Sequence, residues 1–357
     1  MKIPTLTSRG TVHASPRVSN KTFVSHTTEK GVSQMNGTHI AVAFPGQGSQ
    51  RHGMGKDFYD AIELSRHTYD EASDTLGWDV AAMCFGDDER LNLTQYAQPC
   101  ILTTEIAMLR GLHSRYGFTP DYFGGHSLGE YTALVAAEAV PFSDTLRIVS
   151  LRGELMQEAV PVGVGAMAAV ISHGLNVELI RHTLNELPID VANDNSAEQV
   201  VISGTTHSMF EAQKRLSMAL GADSSFRFVT LNVSAPFHSR FMSTIKEAFK
   251  EALQYLLMAV SAQNATRVTS NFTGLFHTES PREIVERLVA QLSGTVQWRK
   301  NMETLRASAH SILEIGPSRP LREFFKSAGM PCVSITTLSS AARHFEKIAD
   351  TPMISQG

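Results

Sequence analysis

Short apolar runs alternate with longer stretches of helical periodicity along most of this chain. His39–Phe44 (HIAVAF) reads as a buried strand that stops at the turn-rich loop Pro45-Gly46-Gln47-Gly48-Ser49-Gln50. Asp121–Gly124 is strand-like, and the Ala- and Leu-rich stretch Leu128–Ala139 favours helix, so the chain passes there from strand through a sharp turn into helix. A distinct block follows. Gly165–Ser172 reads as strand and Asn176–Leu187 as helix. Ile189–Ala192 and Gln199–Ser203 read as strands joined by a turn at Asn193-Asp194-Asn195-Ser196, and Thr206–Leu220 as helix before a strand at Phe226–Leu231. That β-α-β-β-α-β order predicts a ferredoxin-like subdomain. Beyond it, helices are expected near 240–257, 281–292 and 298–308, and strands near 267–271, 310–315 and 332–337. Such alternation predicts a largely parallel sheet covered by helices.

Charge narrows the classes. Lys and Arg number 31 against 35 Asp and Glu, a net charge of -4 with His neutral, and no block of one sign stands out. Neither nucleic acid nor a membrane surface is an expected partner, and no apolar run approaches the roughly 18 residues of a membrane helix. Cys84, Cys100 and Cys332 lack metal-ligand spacing, so no metal is expected, and their odd, low count predicts a cytoplasmic protein with buried thiols. The first 34 residues are rich in Ser, Thr and basic residues, with no acid before Glu29. They predict a disordered tail, with a transit peptide as the alternative and Met35 as an alternative start.

Chemistry first shows at GGHSLGEYTAL, residues 124–134. Gly125, Ser127 and Gly129 make a G-x-S-x-G pattern between strand and helix, where glycines permit the strained turn that exposes a nucleophilic serine. The alternative is a small residue in a structural turn. Leu128, at the helix N-terminus, would offer its N–H to a developing oxyanion. His126 is adjacent in sequence, but a neighbour on a sharp turn points elsewhere, which suits it to holding the turn rather than to accepting a proton. The loop at 46–48 lacks the G-K-[ST] ending of a phosphate loop. Arg152 falls on the apolar stripe Ile148, Val149, Leu155, Met156 and Ala159, behind a plausible N-cap at Ser143. A charge on such a face needs a partner. The partner is either a protein carboxylate or a ligand carboxylate held by the guanidinium fork.

Several stretches, in order, carry a family resemblance: FPGQGSQ at 44–50, AQP at 97–99, GHSLGE at 125–130, LRGELMQEAVP at 151–161 and GAMAAV at 165–170. NDNSAEQVVISG at 193–204, APFHSRFM at 235–242, VQW at 296–298 and EIGPS at 314–318 complete the set. From about residue 38 to 340 the chain resembles the malonyl-CoA:acyl carrier protein transacylase family. The resemblance implies an α/β-hydrolase-like core over 38–163 and 233–340, the ferredoxin-like subdomain at 164–232, and tails at 1–37 and 341–357. It makes Ser127 the acyl-accepting nucleophile, His238 its general base, and the N–H groups of Gln47 and Leu128 the oxyanion hole. It places a carbonyl that orients the histidine at Gln291, in AQLSGTVQW, although Gly294-Thr295 stands where the family often has Asn-Pro. Arg152 would bind the malonyl carboxylate, with Asn195, Phe237 and Met156 also at the substrate. The bulk of Phe237 would crowd an α-methyl group and so favour malonyl over branched units, unless it merely packs the core. The implied enzyme is a monomeric acyltransferase without metal or other cofactor, acting on malonyl-CoA and an acyl carrier protein of fatty acid or polyketide synthesis. An acyl hydrolase with the same serine and histidine, and a non-catalytic docking subunit of a synthase, are the alternatives.

Overall fold

The computed structural model describes residues 38–221, 225–233 and 235–349. The segment before residue 38, including the expected tail and Met35, lies outside them. Two sheets organise the chain. The larger combines β1 (Ile40–Phe44), β2 (Tyr122–Gly125), β7 (Ser311–Ile315) and β8 (Val333–Ile335) in the order β2-β1-β7-β8, all parallel. The smaller combines β3 (Gly165–Ile171), β4 (Ile189–Ser196), β5 (Gln199–Thr205) and β6 (Arg227–Thr230) in the order β4-β5-β3-β6, all antiparallel. Its two helices, Val177–Thr183 and Thr206–Leu220, follow β3 and β5, which completes the ferredoxin-like order. The protein is thus an α/β core with a parallel sheet and a separate small antiparallel sheet.

Burial explains the composition of the core elements. Ala41 to Phe44 of β1 are fully buried, because helices cover both faces of a parallel sheet and leave no wet side for polar residues. The 23-residue helix Thr94–Tyr116 is buried along most of its length and packs against Phe142–Glu158. The helix Thr206–Leu220 keeps Met209, Ala212 and Leu216 inside over the small sheet, at helical spacing.

Four expectations change. Asn193–Ser196 is not the turn: β4 runs through it to Ser196, and the hairpin turns at Ala197-Glu198. Residues 267–271 form no regular strand. Val268 makes one bridge to Phe123 and Thr269 one to Phe276, so the segment only extends the open edge beside β2. The stretch 240–257 divides into a 3₁₀ turn at Arg240–Ile245, a helix at Lys246–Leu253 and a 3₁₀ turn at Leu256–Met258. The expected C-terminal tail is a helix, Leu338–Ala349, as far as residue 349. Leu338 N donates to Asp57 Oδ2 at 2.6 Å, and Phe345 stacks on Tyr116 with ring centroids 4.9 Å apart.

Candidate active site

The turn between β2 and the helix Gly129–Ala136 carries Ser127 at φ 52°, in the left-handed region that side chains rarely adopt. Its two glycines are needed for space. A Cβ on Gly125 would lie 2.0 Å from the Gly129 carbonyl carbon, and one on Gly129 would lie 2.2 Å from Phe44 O. The ends of β1 and β2 and the first helical turn therefore meet backbone to backbone, and the serine is pushed outward. Asn271 fastens this turn. Its Oδ1 accepts from Ser127 N at 2.6 Å and its Nδ2 donates to Gly125 O at 2.7 Å.

His238, also at positive φ (55°), brings Nε2 to 2.7 Å from Ser127 Oγ. Its Nδ1 stands 2.8 Å from the main-chain oxygen of Gln291. A carbonyl only accepts, so Nδ1 carries the proton and Nε2 is left to accept from the serine hydroxyl. Burial pushes the imidazole down to about 3, helped by the nearby Arg152 cation and opposed by the Gln291 carbonyl. The ring is thus held neutral and basic at Nε2.

Arg152 lies at the other side of Ser127 and is 1% exposed. Its Nη2 donates to Ser127 Oγ at 3.1 Å and to Gln291 Oε1 at 2.9 Å, its Nη1 donates to Gln98 Oε1 at 2.8 Å, and it sits 5.3 Å over the Tyr131 ring. Burial presses its pKa below the ordinary value. Among the described residues all its hydrogen-bond acceptors are neutral, and Nε has none. A desolvated guanidinium without a direct counter-ion is costly. An anion placed beside Ser127 would compensate it.

A cleft of about 560 Å³ opens over these groups. Gln47, Ser127, Arg152, Met156, Phe237 and His238 all line it. Gln47 is held through its side chain, with Nε2 donating to Thr94 Oγ1 at 3.1 Å. Among the described residues no acceptor meets the main-chain N–H of Gln47 or of Leu128. Asn195 is placed differently. Its Oδ1 stands 2.8 Å from His126 Nε2 and its Nδ2 donates to Gln199, while Asn193 is the asparagine on the cleft wall. His126 lines the cleft but makes no bond to the serine hydroxyl. Burial lowers its pKa, and its ring lies edge-on to Trp298.

Gln98, Tyr131 and Asn271 were given no role by sequence reasoning. Gln98 sits in the AQP motif and Tyr131 directly follows GHSLGE, without any pattern that marks their partners. The signal at Asn271 was legible: Thr269-Ser270-Asn271 is a polar triplet, fully buried, where a core strand would be apolar.

A serine on a strand–turn–helix elbow, a neutral histidine against its hydroxyl and a buried cation at its side make an arrangement suited to acyl transfer on an α/β core. Residues 42–349 match the family described as acyl transferase domain. The chain belongs to the malonyl CoA-acyl carrier protein transacylase family. It is 40% identical over 295 residues to the malonyl CoA-acyl carrier protein transacylase of Bacillus subtilis, covering 80% of this chain and 89% of that protein. To the enzyme of the same name from Escherichia coli K12 it is 38% identical over 290 residues, covering 80% and 91%. Among solved structures, the transacylase of Clostridium perfringens superposes with a TM-score of 0.79 at 32% identity, covering 87% of this chain and 98% of that one. A malonyl-transacylase in complex with a type II PKS acyl-carrier protein gives 0.79 at 33% identity, covering 87% and 100%.

Proposed function

We propose that this protein moves a malonyl group from malonyl-CoA to the phosphopantetheine thiol of an acyl carrier protein, through a malonyl ester on Ser127. The observation that carries this reading is Arg152: a buried guanidinium, 3.1 Å from Ser127 Oγ and met only by neutral acceptors, suits an acyl chain that ends in a carboxylate. In an acyl hydrolase for simple chains the same cation would face hydrocarbon.

His238 Nε2 takes the Ser127 proton as Oγ attacks the thioester carbon. The carbonyl oxygen becomes an oxyanion within reach of the N–H groups of Gln47 and Leu128. The C–S bond breaks, and CoA leaves as a thiol with the proton from His238. The carrier thiol then attacks the ester while His238 accepts its proton, and Ser127 recovers that proton as the C–O bond breaks. Phe237 and Met156 wall the acyl site, and Asn195 acts by holding His126.

Mixing the protein with malonyl-CoA should add one malonyl mass, and Ser127→Ala should abolish it. Arg152→Ala should lower kcat/KM for malonyl-CoA about 30-fold or more, the scale of losing one partner of a desolvated charge pair, and leave acetyl-CoA use no worse. An adduct that survives Ser127→Ala, or equal losses on both thioesters, would refute the reading.

A further inference from the structure

Glu130 is fully buried, lies three residues after the nucleophile on the first turn of its helix, and is not part of the cleft wall. Three neighbours converge on it. Gln291 Nε2 donates to Oε2 at 2.6 Å, Asn271 N donates to Oε2 at 3.0 Å, and His277 Nε2 stands 2.9 Å from Oε1. Gln291 is the shared member. Its Nε2 also donates to Ser127 O at 3.0 Å, and its Oε1 accepts from Arg152 Nη2 at 2.9 Å.

A primary amide has one donor end and one acceptor end. Glu130 Oε2 and Ser127 O both accept, so the end of Gln291 between them has to be the NH₂ group. Its oxygen is thereby turned to Arg152, which has only donors. The reverse setting would place NH₂ against the guanidinium, at a cost that a dry site does not screen. Without Glu130, only the Ser127 carbonyl would hold the NH₂ end of the amide.

We propose that Glu130 is a positioning residue for acyl recognition: it sets the amide of Gln291, and Gln291 holds the Arg152 fork beside the Ser127 hydroxyl. The inference rests on the reading that Arg152 receives the carboxylate of the acyl group. It adds that recognition of this carboxylate depends on a residue that never touches substrate. A Glu130 that only braced the elbow would affect every acyl group alike. A Glu130 that works through Arg152 affects those with a terminal carboxylate.

The test is kcat and KM for malonyl-CoA and acetyl-CoA on wild type, Glu130→Ala and Glu130→Gln. Wild type comes first: if it used acetyl-CoA as well as malonyl-CoA, the reading of Arg152 would fail whatever Glu130 does. With the wild-type preference in hand, Glu130→Ala should lower kcat/KM for malonyl-CoA about tenfold or more, as expected for disturbing a hydrogen bond to a charged group. Acetyl-CoA should lose clearly less, because only the part that passes through Asn271 falls on both thioesters, so the malonyl-to-acetyl ratio drops. Glu130→Gln, which keeps an oxygen for Gln291 Nε2, should recover most of the loss. In an Arg152→Ala background, Glu130→Ala should change the selectivity no further, because both act on one interaction. Equal loss on both thioesters, no recovery with Gln, or the same added loss without Arg152 overturns the proposal. If Glu130→Ala does not fold, Glu130→Met carries the same test, since it fills similar space and offers no acceptor to Gln291 Nε2. A drop in the malonyl-to-acetyl ratio then supports the proposal, and equal loss overturns it.

Discussion

At the scale of single residues, His238 and Arg152 are opposed. Burial is the largest cause of the depressed histidine, and the guanidinium cation is the next. Protonating His238 would place a second positive charge near Arg152 at a buried position, so the free protein holds this imidazole neutral well below the ordinary histidine range of about 6.5. Because the folded pKa is depressed, this group's contribution to stability is fully present above the unfolded value. It is lost as pH falls from about 6.5 towards about 3. Activity should follow the same direction. The rate at which a small fluorophosphonate labels Ser127 should stay level down through pH 6.5 and fall only in more acid solution. Arg152→Gln should shift that fall upward, yet not to 6.5, because burial remains. Short-pulse labelling from about pH 8 down to about pH 3 reads both, since the wild-type fall lies towards the acid end. A wild-type midpoint near 6.5 would mean that the imidazole is not desolvated as the geometry requires.

At the scale of elements, Ser127 is held by a long-range clamp as well as by its own turn. The strand–turn–helix elbow was legible because its causes are local: two glycines, then a helix-forming run. Arg152 was legible as a charge on an apolar stripe of one helix. Around Asn271 only the polar triplet was legible and not what it does, since its partners Ser127 and Gly125 lie 144 and 146 residues away. Asn193–Ser196 misled for a related reason. Its side chains favour turns in isolation, but pairing with β5, with register shifts after Val191 and Asp194, draws it into a bulged strand. His238 had no local mark at all, and only the family motif identified it. The clamp gives a prediction of its own. Asn271→Asp keeps an acceptor for Ser127 N but sets an oxygen against Gly125 O, so it should cost about 1–3 kcal/mol in denaturant unfolding. Serine labelling should slow as well. An Asn271→Asp protein with unchanged unfolding and labelling would show that glycine geometry alone holds the elbow.

At the scale of the whole molecule, the cleft is walled by both sheets. Ser127 and Arg152 come from the parallel core, while Met167 and Asn193 come from β3 and β4 of the small sheet. The small sheet therefore shapes the space for the thioester without entering the proton chemistry. Its attachment near the site is specific. Asp194 N donates to Val296 O at 3.0 Å and Val296 N to Ala192 O at 2.8 Å, and Thr295 Oγ1 donates to Val191 O at 2.6 Å. Arg299, on the helix Trp298–Ser308, makes an ion pair with Asp194 at 2.8 Å and donates to Ser196 O at 2.5 Å. These contacts flank Asn193, so they set how far that wall stands from Ser127. Arg299→Ala removes a side chain that grips both Asp194 and Ser196, and it leaves the elbow, His238 and Arg152 untouched. The loss of stability should be about 1–3 kcal/mol, the cost of leaving partly buried acceptors without their donor. The functional effect should divide by ligand size. KM for malonyl-CoA should rise, because a displaced wall fits the extended thioester less well. Labelling of Ser127 by a small fluorophosphonate should keep its wild-type rate, because the nucleophile and base are held within the core. If both fell together, the small sheet would be supporting the catalytic pair itself. If neither changed, the wall would be fixed by the contacts of Thr295 and Val296 without Arg299.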